Sequence, residues 1–310
     1  MSPTAVLLMA YGSPGSLDDV EPYLKNVRGR RPTPPPVIEK TKARYGAIGG
    51  RSPLLEVTLA QAGALEARLK DLSPGQPYRV IVGMRHWHPY IHEAMEQIRQ
   101  AGLQHIVALC LTPYYSTIST QAYFDQLNRA LATDGIPLEV TRVPAWHSHP
   151  LFVQALADKV RHALEVSPNA SGAEGKVIFT AHSLPVSPDT AGDPYAEQVG
   201  LTAGAVAGQL GLAPRQWALC YQSAGARNGE WLGPSLDVTL DGLARSGIRH
   251  VLVAPIGFVS DHIETLFDLD IEAAGLAKEK GLSFRRAEAL NTDPVFIQAL
   301  AQIILQGGYA

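Results

Sequence analysis

Short apolar runs of strand length alternate along the chain with longer segments whose apolar positions recur every three or four residues. In the first half the runs are AVLLMA (5–10), YRVIVGM (78–84), HIVALCL (105–111) and LEVTRVP (138–144). Between them, PLLEVTLAQAGALEARLKDL and PYIHEAMEQIRQAG carry the helical period. Strand then helix, repeated, predicts a parallel sheet covered on both faces. The second half runs in the same order through KVIFTAH (176–182), QWALCYQ (216–222), HVLVAPIG (250–257) and LSFRRAEAL (282–290).

Two stretches mark this as a duplication. AGLQHIVALCLTPYYS (101–116) and SGIRHVLVAPIGFVSD (246–261) share a Gly, a two-residue spacer, a His and a buried run at matched positions. The repeat suits two α/β domains of ordinary size, with expected spans 1–145 and 146–310. MAYGSP then matches TAHSLP, each following the first strand of its half. Ligands of open parallel sheets sit outside the carboxyl ends of the strands. The expectation is therefore a two-lobed cleft bordered by Tyr11, His86, Tyr114, His182, Gln222 and residues 258–272. His105 and His250 stand at the opposite sheet edge, and their duplication argues for a structural role. Asp293-Pro294 reads as the N-cap and first turn of a last helix with an apolar core-facing side.

Composition narrows the classes. The 310 residues are 46% hydrophobic and 18% charged with a net charge of -3, an ordinary globular balance. No basic face supports nucleic acid or an anionic membrane as partner. The start MSPTAVLLMAYG has no basic region ahead of its short apolar run, so it reads as a buried strand and the expected location is the cytoplasm. No window approaches a bilayer-spanning length, so no integral membrane segment is expected. Cys110 and Cys220 both lie in apolar runs and cannot make a four-cysteine zinc or iron–sulfur site.

The candidate chemistry begins at FVSDHIETLFDLDIE (258–272), which holds Asp261, Glu264, Asp268, Asp270 and Glu272 with no Lys or Arg. On an α-helix Glu264, Asp268 and Glu272 are each about 40° around from the last, one stripe, with Asp261 on the same face. Most charge runs are solvated surfaces. This one spaces acid against acid at i,i+4, losing roughly 0.2–0.5 kcal/mol per pair, and starts directly behind a buried strand. A ladder of like charge entering a cleft suits a divalent cation or a proton path. His182, at the end of its strand, can accept a proton near neutral pH or bind a transition metal; alone it would more often be a structural histidine. Together, His and Glu at neighbouring strand ends make a sparse N/O set suited to transient binding of Fe²⁺ or a similar ion.

The first half offers cations and aromatics: Arg28, Arg30 and Arg31 in VRGRRP, Arg44 and Tyr45 in KARY, and three tyrosines in PYYSTISTQAY. Guanidinium forks hold carboxylates and aromatic rings hold flat π-systems. A solvated loop would explain the Arg group alone. Beside the metal ladder, the combination describes a flat anionic ligand facing a metal donor, a description that a tetrapyrrole with propionate side chains fits.

Over nearly its whole length the sequence resembles ferrochelatases, through LLMAYGSP, ARYGAIGGRSPL, VGMRHWHP, TPYYST, FTAHSLP, AGDPYAEQV, WLGP and GFVSDHIETLFDLDIE. The resemblance implies the class II chelatase fold, α/β with two flavodoxin-like (Rossmann-type) domains, each a four-stranded parallel sheet flanked by helices, around a central cleft. It implies insertion of Fe²⁺, the substrate, into a porphyrin in haem biosynthesis. The pair matching His182 and Glu264 binds metal and accepts pyrrole protons, and Asp268 and Glu272 continue the metal or proton path. MAYGSP resembles the branch of Firmicutes and related bacteria that makes coproheme III from coproporphyrin III, with Tyr11 as axial ligand. Arg28, Arg44, Tyr45, Ser52 and Tyr123 match its porphyrin contacts, although the basic loop reads RGRRP where the family type reads RRGRK. No organic cofactor and no iron–sulfur cluster are expected. Expected partners are the porphyrin, the haem product and, transiently, haem-pathway proteins.

Three rival readings remain at this point. One is the protoporphyrin IX ferrochelatase, whose branch usually carries a different first loop. Another is a cobalt or sirohydrochlorin chelatase of the same fold, which places a His where this chain has Tyr11. The third is a non-catalytic porphyrin carrier, which has no use for an acidic ladder beside a base.

Overall fold

The computed structural model describes residues 3–132, 138–225 and 229–307. Its eight strands fall where the apolar runs are: β1 Thr4–Ala10, β2 Tyr78–Met84, β3 His105–Cys110, β4 Glu139–Val143, β5 Gly175–His182, β6 Trp217–Gln222, β7 His250–Ala254 and β8 Ser283–Arg286. They build two four-stranded parallel sheets of the same order, β2-β1-β3-β4 and β6-β5-β7-β8. The run HVLVAPIG ends early as a strand because Pro255 cannot donate to the ladder and Ile256 and Gly257 turn away.

The first unit comprises the chain up to Pro113, Ile118–Trp146 and the segment from Asn291. Helices α1 Val20–Val27, α2 Pro35–Ala47, α3 Leu54–Leu72, α4 Ile91–Gln100 and α5 Thr120–Leu131 accompany its sheet. Leu7 and Met9 of β1 and Ile106 and Ala108 of β3 share one core cluster with Ile91, Met95 and Ile98 of α4 and Phe124 and Leu127 of α5. This period-2 and period-3.6 matching is the covered sheet that the runs predict.

The second unit comprises Tyr114–Thr117 and His147–Leu290. It holds α6 Pro150–Glu165, α7 Tyr195–Gln209, α8 Leu236–Arg245, α9 Ile263–Leu266 and α10 Ala274–Glu279. Ile178, Cys220, Val251 and Val253 of the sheet pack with Leu240 of α8 and with Leu269, Ala273 and Ala277 of the α9–α10 segment. Both cysteines are buried and free, and burial pushes their thiols above the ordinary range, Cys220 to about 12.

Two features depart from the expected halves of 1–145 and 146–310. The last helix, α11 Pro294–Leu305, belongs to the first unit. Its buried face lies on α3, Phe296 stacks near Trp146 at 5.9 Å, and Gln61 Nε2 donates to the Asn291 carbonyl at 2.8 Å. An apolar helix follows the surface it can cover, whatever its place in the chain. Its start is as read: the Asp293 carboxylate accepts from Val295 N and Phe296 N, with Pro294 in the first turn. The other departure is Tyr114–Thr117, which follows a strand of the first unit yet is built into the second. His105 and His250 open β3 and β7 at the amino edges; His105 pairs with Glu139 in solvent, and His250 N donates to Glu174 O.

Candidate active site

In the second sheet the strand order reverses between β5 and β7, the switch point where α/β sheets bind ligands. His182 is the last residue of β5, paired in register with Gln222 at the end of β6. The chain leaves β7 through Ile256 and Gly257 and re-enters helix at Ile263. Gly257 is required there. A Cβ would meet Ala181 Cβ at 2.7 Å, and the close approach lets Gly257 N donate to Thr180 O at 3.1 Å.

This docking sets His182 Nε2 3.4 Å from Glu264 Oε1, with the two side chains 33% and 29% exposed. The other carboxylate oxygen, Oε2, faces His262 Nε2 at 3.6 Å. Both imidazoles turn Nδ1 toward a main-chain carbonyl, Ser183 O for His182 and Ser260 O at 3.0 Å for His262. Those bonds occupy Nδ1 and leave each Nε2 for the carboxylate. His262 is extended and immediately precedes α9, so it stands beside Glu264 although it is only two positions away.

The electrostatics follow from the pairing. Burial alone would push Glu264 up; the His182 charge and the hydrogen bonds of His182 and His262 outweigh it and hold the carboxyl well below the usual range. Burial likewise pushes His182 down, but the Glu264 charge and hydrogen bond, the Ser183 carbonyl and Asp268 raise it to about 8. At neutral pH the pair is therefore an ion pair with its proton on the imidazole. A metal ion can take Nε2 and Oε1 only by displacing that proton. Among the described residues no three His, Cys, Asp or Glu side chains are arranged to enclose a metal ion.

Supporting bonds run behind the pair. Gln222 Nε2 donates to Glu264 O at 2.8 Å, while its Oε1 accepts from Thr180 Oγ1. Ser223, in the left-handed region at φ 59°, donates its hydroxyl to Asp268 at 2.5 Å.

The helix differs from the expected one. Residues Asp268–Ala273 form a π-helical segment between α9 and α10, with Glu272 N donating to Phe267 O at 2.9 Å. In an α-helix a four-residue step overshoots one turn; in the wider π turn it falls short. The π segment thus offsets the drift between Glu264 and Asp268 as the chain runs on to Glu272. Burial falls along the series, from part-buried Glu264 and Asp268 to exposed Glu272.

The stretch is also less unpaired than its sequence reads. Arg286, at the end of β8, pairs with Asp261 at 3.1 Å and forks onto both oxygens of Asp270 at 2.7 and 2.8 Å. Asp261 therefore belongs to a structural ion pair and not to the ladder, and Asp270, for which the sequence suggests no role, is its other half. The partner comes from a strand sixteen residues downstream of Asp270, outside any helical spacing.

The first unit arranges its loop on the same plan with other chemistry. Tyr11 follows β1, 42% exposed, and its ring lies 4.5 Å from that of His86. Arg85 N and His86 N donate to Ala10 O and Tyr11 O, both at 2.9 Å. Gly12 has φ +90°, and a Cβ there would meet Trp87 N at 2.8 Å, so glycine alone fits behind the tyrosine. His86 is buried; burial and the Arg85 charge lower its pKa to about 3, so it stays neutral.

Of the other residues read as porphyrin contacts, Arg28 is exposed just after α1 and Arg44 is part-buried in the last turn of α2. Tyr45 and Tyr123 are buried, the latter with Arg85 over its ring at 5.4 Å. Ser52 is buried and its Oγ accepts from Leu54 N at the start of α3. Of the residues expected together, Tyr11 and His86 meet in the first unit, and His182, Gln222 and Glu264 in the second.

Comparison with known proteins decides the family. The ferrochelatase family model matches residues 3–307. The chain belongs to the ferrochelatase family. It is 42% identical to the ferrochelatase of Deinococcus radiodurans over 97% of this chain and 95% of that one. It is 39% identical to the coproporphyrin III ferrochelatase of Geobacillus kaustophilus over 97% and 95%, and 40% identical to the ferrochelatase of Synechocystis over 98% and 82%. Among solved structures, SirB from Bacillus subtilis with Fe³⁺ superposes with a TM-score of 0.56 at 12% identity, covering 98% of this chain and 95% of that one. That likeness shows the chelatase fold. A ferrochelatase inserts metal into a porphyrin, and the described residues contain no helix long and apolar enough to cross a membrane.

His262 is the site residue that sequence reasoning misses. Its signal lay in plain view, two residues before Glu264, but helical spacing turns such a neighbour away, and only an extended residue ahead of the helix brings it back.

Proposed function

We propose that this chain inserts Fe²⁺ into coproporphyrin III to give coproheme III, with His182 and Glu264 as the metal-binding and proton-accepting pair. The observation that carries the reading is the imidazole–carboxylate pair at 3.4 Å, at the switch point of a parallel sheet. Insertion replaces two pyrrole N–H protons by one dication, so a proton acceptor is needed where the metal enters. A dication arriving at Glu264 offsets the charge that keeps His182 protonated. The imidazole then releases its proton and offers its Nε2 lone pair to the metal or to a pyrrole proton. Asp268 and Glu272 continue the path outward, toward solvent at the exposed Glu272.

Tyr11, Arg28, Arg44, Tyr45, Ser52 and Tyr123 are assigned to porphyrin binding, with the Arg side chains on propionates and the partly exposed Tyr11 side chain toward the macrocycle. Four propionates reward a basic loop such as VRGRRP more than two do, which favours coproporphyrin over protoporphyrin IX. Relatives named for coproporphyrin III and relatives named simply ferrochelatase match to similar extents. The reading includes action in the cytoplasm with transient haem-pathway partners.

The test is anaerobic incubation with Fe²⁺ and either porphyrin, followed by absorbance. Faster turnover of coproporphyrin III is expected. Preference for protoporphyrin IX would overturn the substrate assignment, and binding of both without turnover would overturn the enzyme reading.

A further inference from the structure

The segments AGDPYAEQV and TPYYST match the family pattern, yet nothing in the reaction so far uses them. In the structure they meet within the second unit. Asp193 accepts from Ser116 Oγ at 2.6 Å and from Thr117 N and Oγ1 at 3.1 Å, and Gln198 Oε1 accepts from Tyr115 N at 2.8 Å. These bonds seat Tyr114 against Tyr195, both buried, edge to face with centroids 5.7 Å apart.

The two hydroxyls point to different places. Tyr195, the first residue of α7, donates to the main-chain carbonyl of His182 at 2.8 Å. Tyr114 donates to the main-chain carbonyl of Ile256 at 3.1 Å, in the turn that carries the chain from β7 toward Glu264. That turn is already pressed on β5 at Gly257. Two packed rings therefore hold one carbonyl on each arm of the His182–Glu264 pair. Buried polar groups behind a reacting side chain orient it, and a small misplacement at the chemistry has a large effect on rate.

We propose that Tyr195 and Tyr114 are positioning residues for metal insertion, which fix the spacing of His182 and Glu264 by anchoring the main chain of the two arms. The inference rests on the assignment of that pair. Neither tyrosine touches substrate; each acts through the backbone it holds.

The experiment compares Tyr195→Phe and Tyr114→Phe, which keep the rings and remove only the hydroxyls. Steady-state insertion is measured anaerobically with Fe²⁺ and porphyrin varied separately, and Co²⁺ alone is titrated while its d–d absorption is recorded. Losing the hydrogen bond to the main chain is worth about 1 kcal/mol, so kcat should fall about fivefold in each variant. The porphyrin KM should stay unchanged, the metal KM should rise, and the Co²⁺ spectrum should shift. Ile297→Val, a core change in α11, serves as a control for stability loss alone and should leave kcat and the spectrum as they are. Lowered melting temperature with unchanged kcat and unchanged Co²⁺ spectrum in both tyrosine variants would overturn the proposal. Should Tyr195→Phe fail to fold, Tyr114→Phe decides by the same readouts. His182→Ala separates the two levels: full activity there removes the pair and this inference with it, whereas an inactive His182→Ala beside fully active tyrosine variants removes only the positioning role.

Discussion

The loops after β1 and β5 occupy equivalent places in sheets of identical order, and each sheet sets a histidine at its carboxyl edge. In the first unit burial and the neighbouring Arg85 charge act on His86, and its pKa falls to about 3. In the second, His182 faces Glu264, and its pKa rises to about 8 despite burial. The duplicated fold supplies the position and the neighbouring charge decides the chemistry. One histidine is a neutral packing partner for Tyr11, and the other is a group able to gain or lose a proton near neutral pH, as the proposed reaction requires.

The sharpest way to break this contrast is to remove the titrating histidine. In His182→Ala, insertion should fall on the order of a thousandfold while porphyrin binding, followed by fluorescence quenching, stays largely intact. Retained activity would show that His182 takes no more part in proton transfer than His86.

Next in size is the ladder. Glu264→Gln should lower kcat on the order of a hundredfold if, as proposed, its charge couples the imidazole to an arriving dication. Glu272→Gln, at the exposed end, should lower it by less than about threefold. Equal or reversed effects in the anaerobic assay would mean that the path does not start at Glu264.

A third expectation concerns pH and stability. The raised pKa of His182 contributes stability that is complete below its ordinary 6.5 and is lost as pH rises through about 8. The lowered pKa of Glu264 contributes stability complete above its ordinary 4.5 and lost as pH falls toward its depressed folded value. The melting-temperature gap between the parent protein and Glu264→Gln should therefore be widest from about pH 4.5 to 6.5 and narrow above 8. A gap that is flat with pH would refute the ion pair.

The smallest effect is reserved for the other histidine. With a folded pKa near 3 against an ordinary 6.5, His86 costs stability as pH falls below 6.5, since only the unfolded chain takes up the proton. His86→Phe should flatten the acid side of the urea-midpoint profile and leave insertion nearly unchanged. An unaltered acid slope would show that His86 is already charged in the fold.

The legible and illegible parts of this molecule divide along one physical line. Six of the eight strands could be placed within a residue because a covered parallel strand must be apolar throughout, whereas the runs for β7 and β8 overshoot the strand ends by three and four residues. The duplication was legible because GLQH and GIRH recur before such strands. Glu264, Asp268 and Glu272 were legible as a series through their spacing. The Arg286 fork onto Asp261 and Asp270 was not, since the partner arrives on a different strand. Nor was the π segment, whose extra residue per turn leaves no mark in an α-helical pattern.

By itself, then, the sequence determined the alternation of strand and helix, the duplication, the family motifs and the residue types able to hold a cation, because these follow from local period and side-chain chemistry. Tertiary structure alone decided what each charge meets. It set His262 beside Glu264 and Arg286 beside two of the five carboxylates, built Tyr114 into the second unit, and returned α11 to the first unit. The reason is that pairing energies and pKa shifts depend on distances of a few ångströms between residues far apart in the chain, and no local pattern encodes those distances.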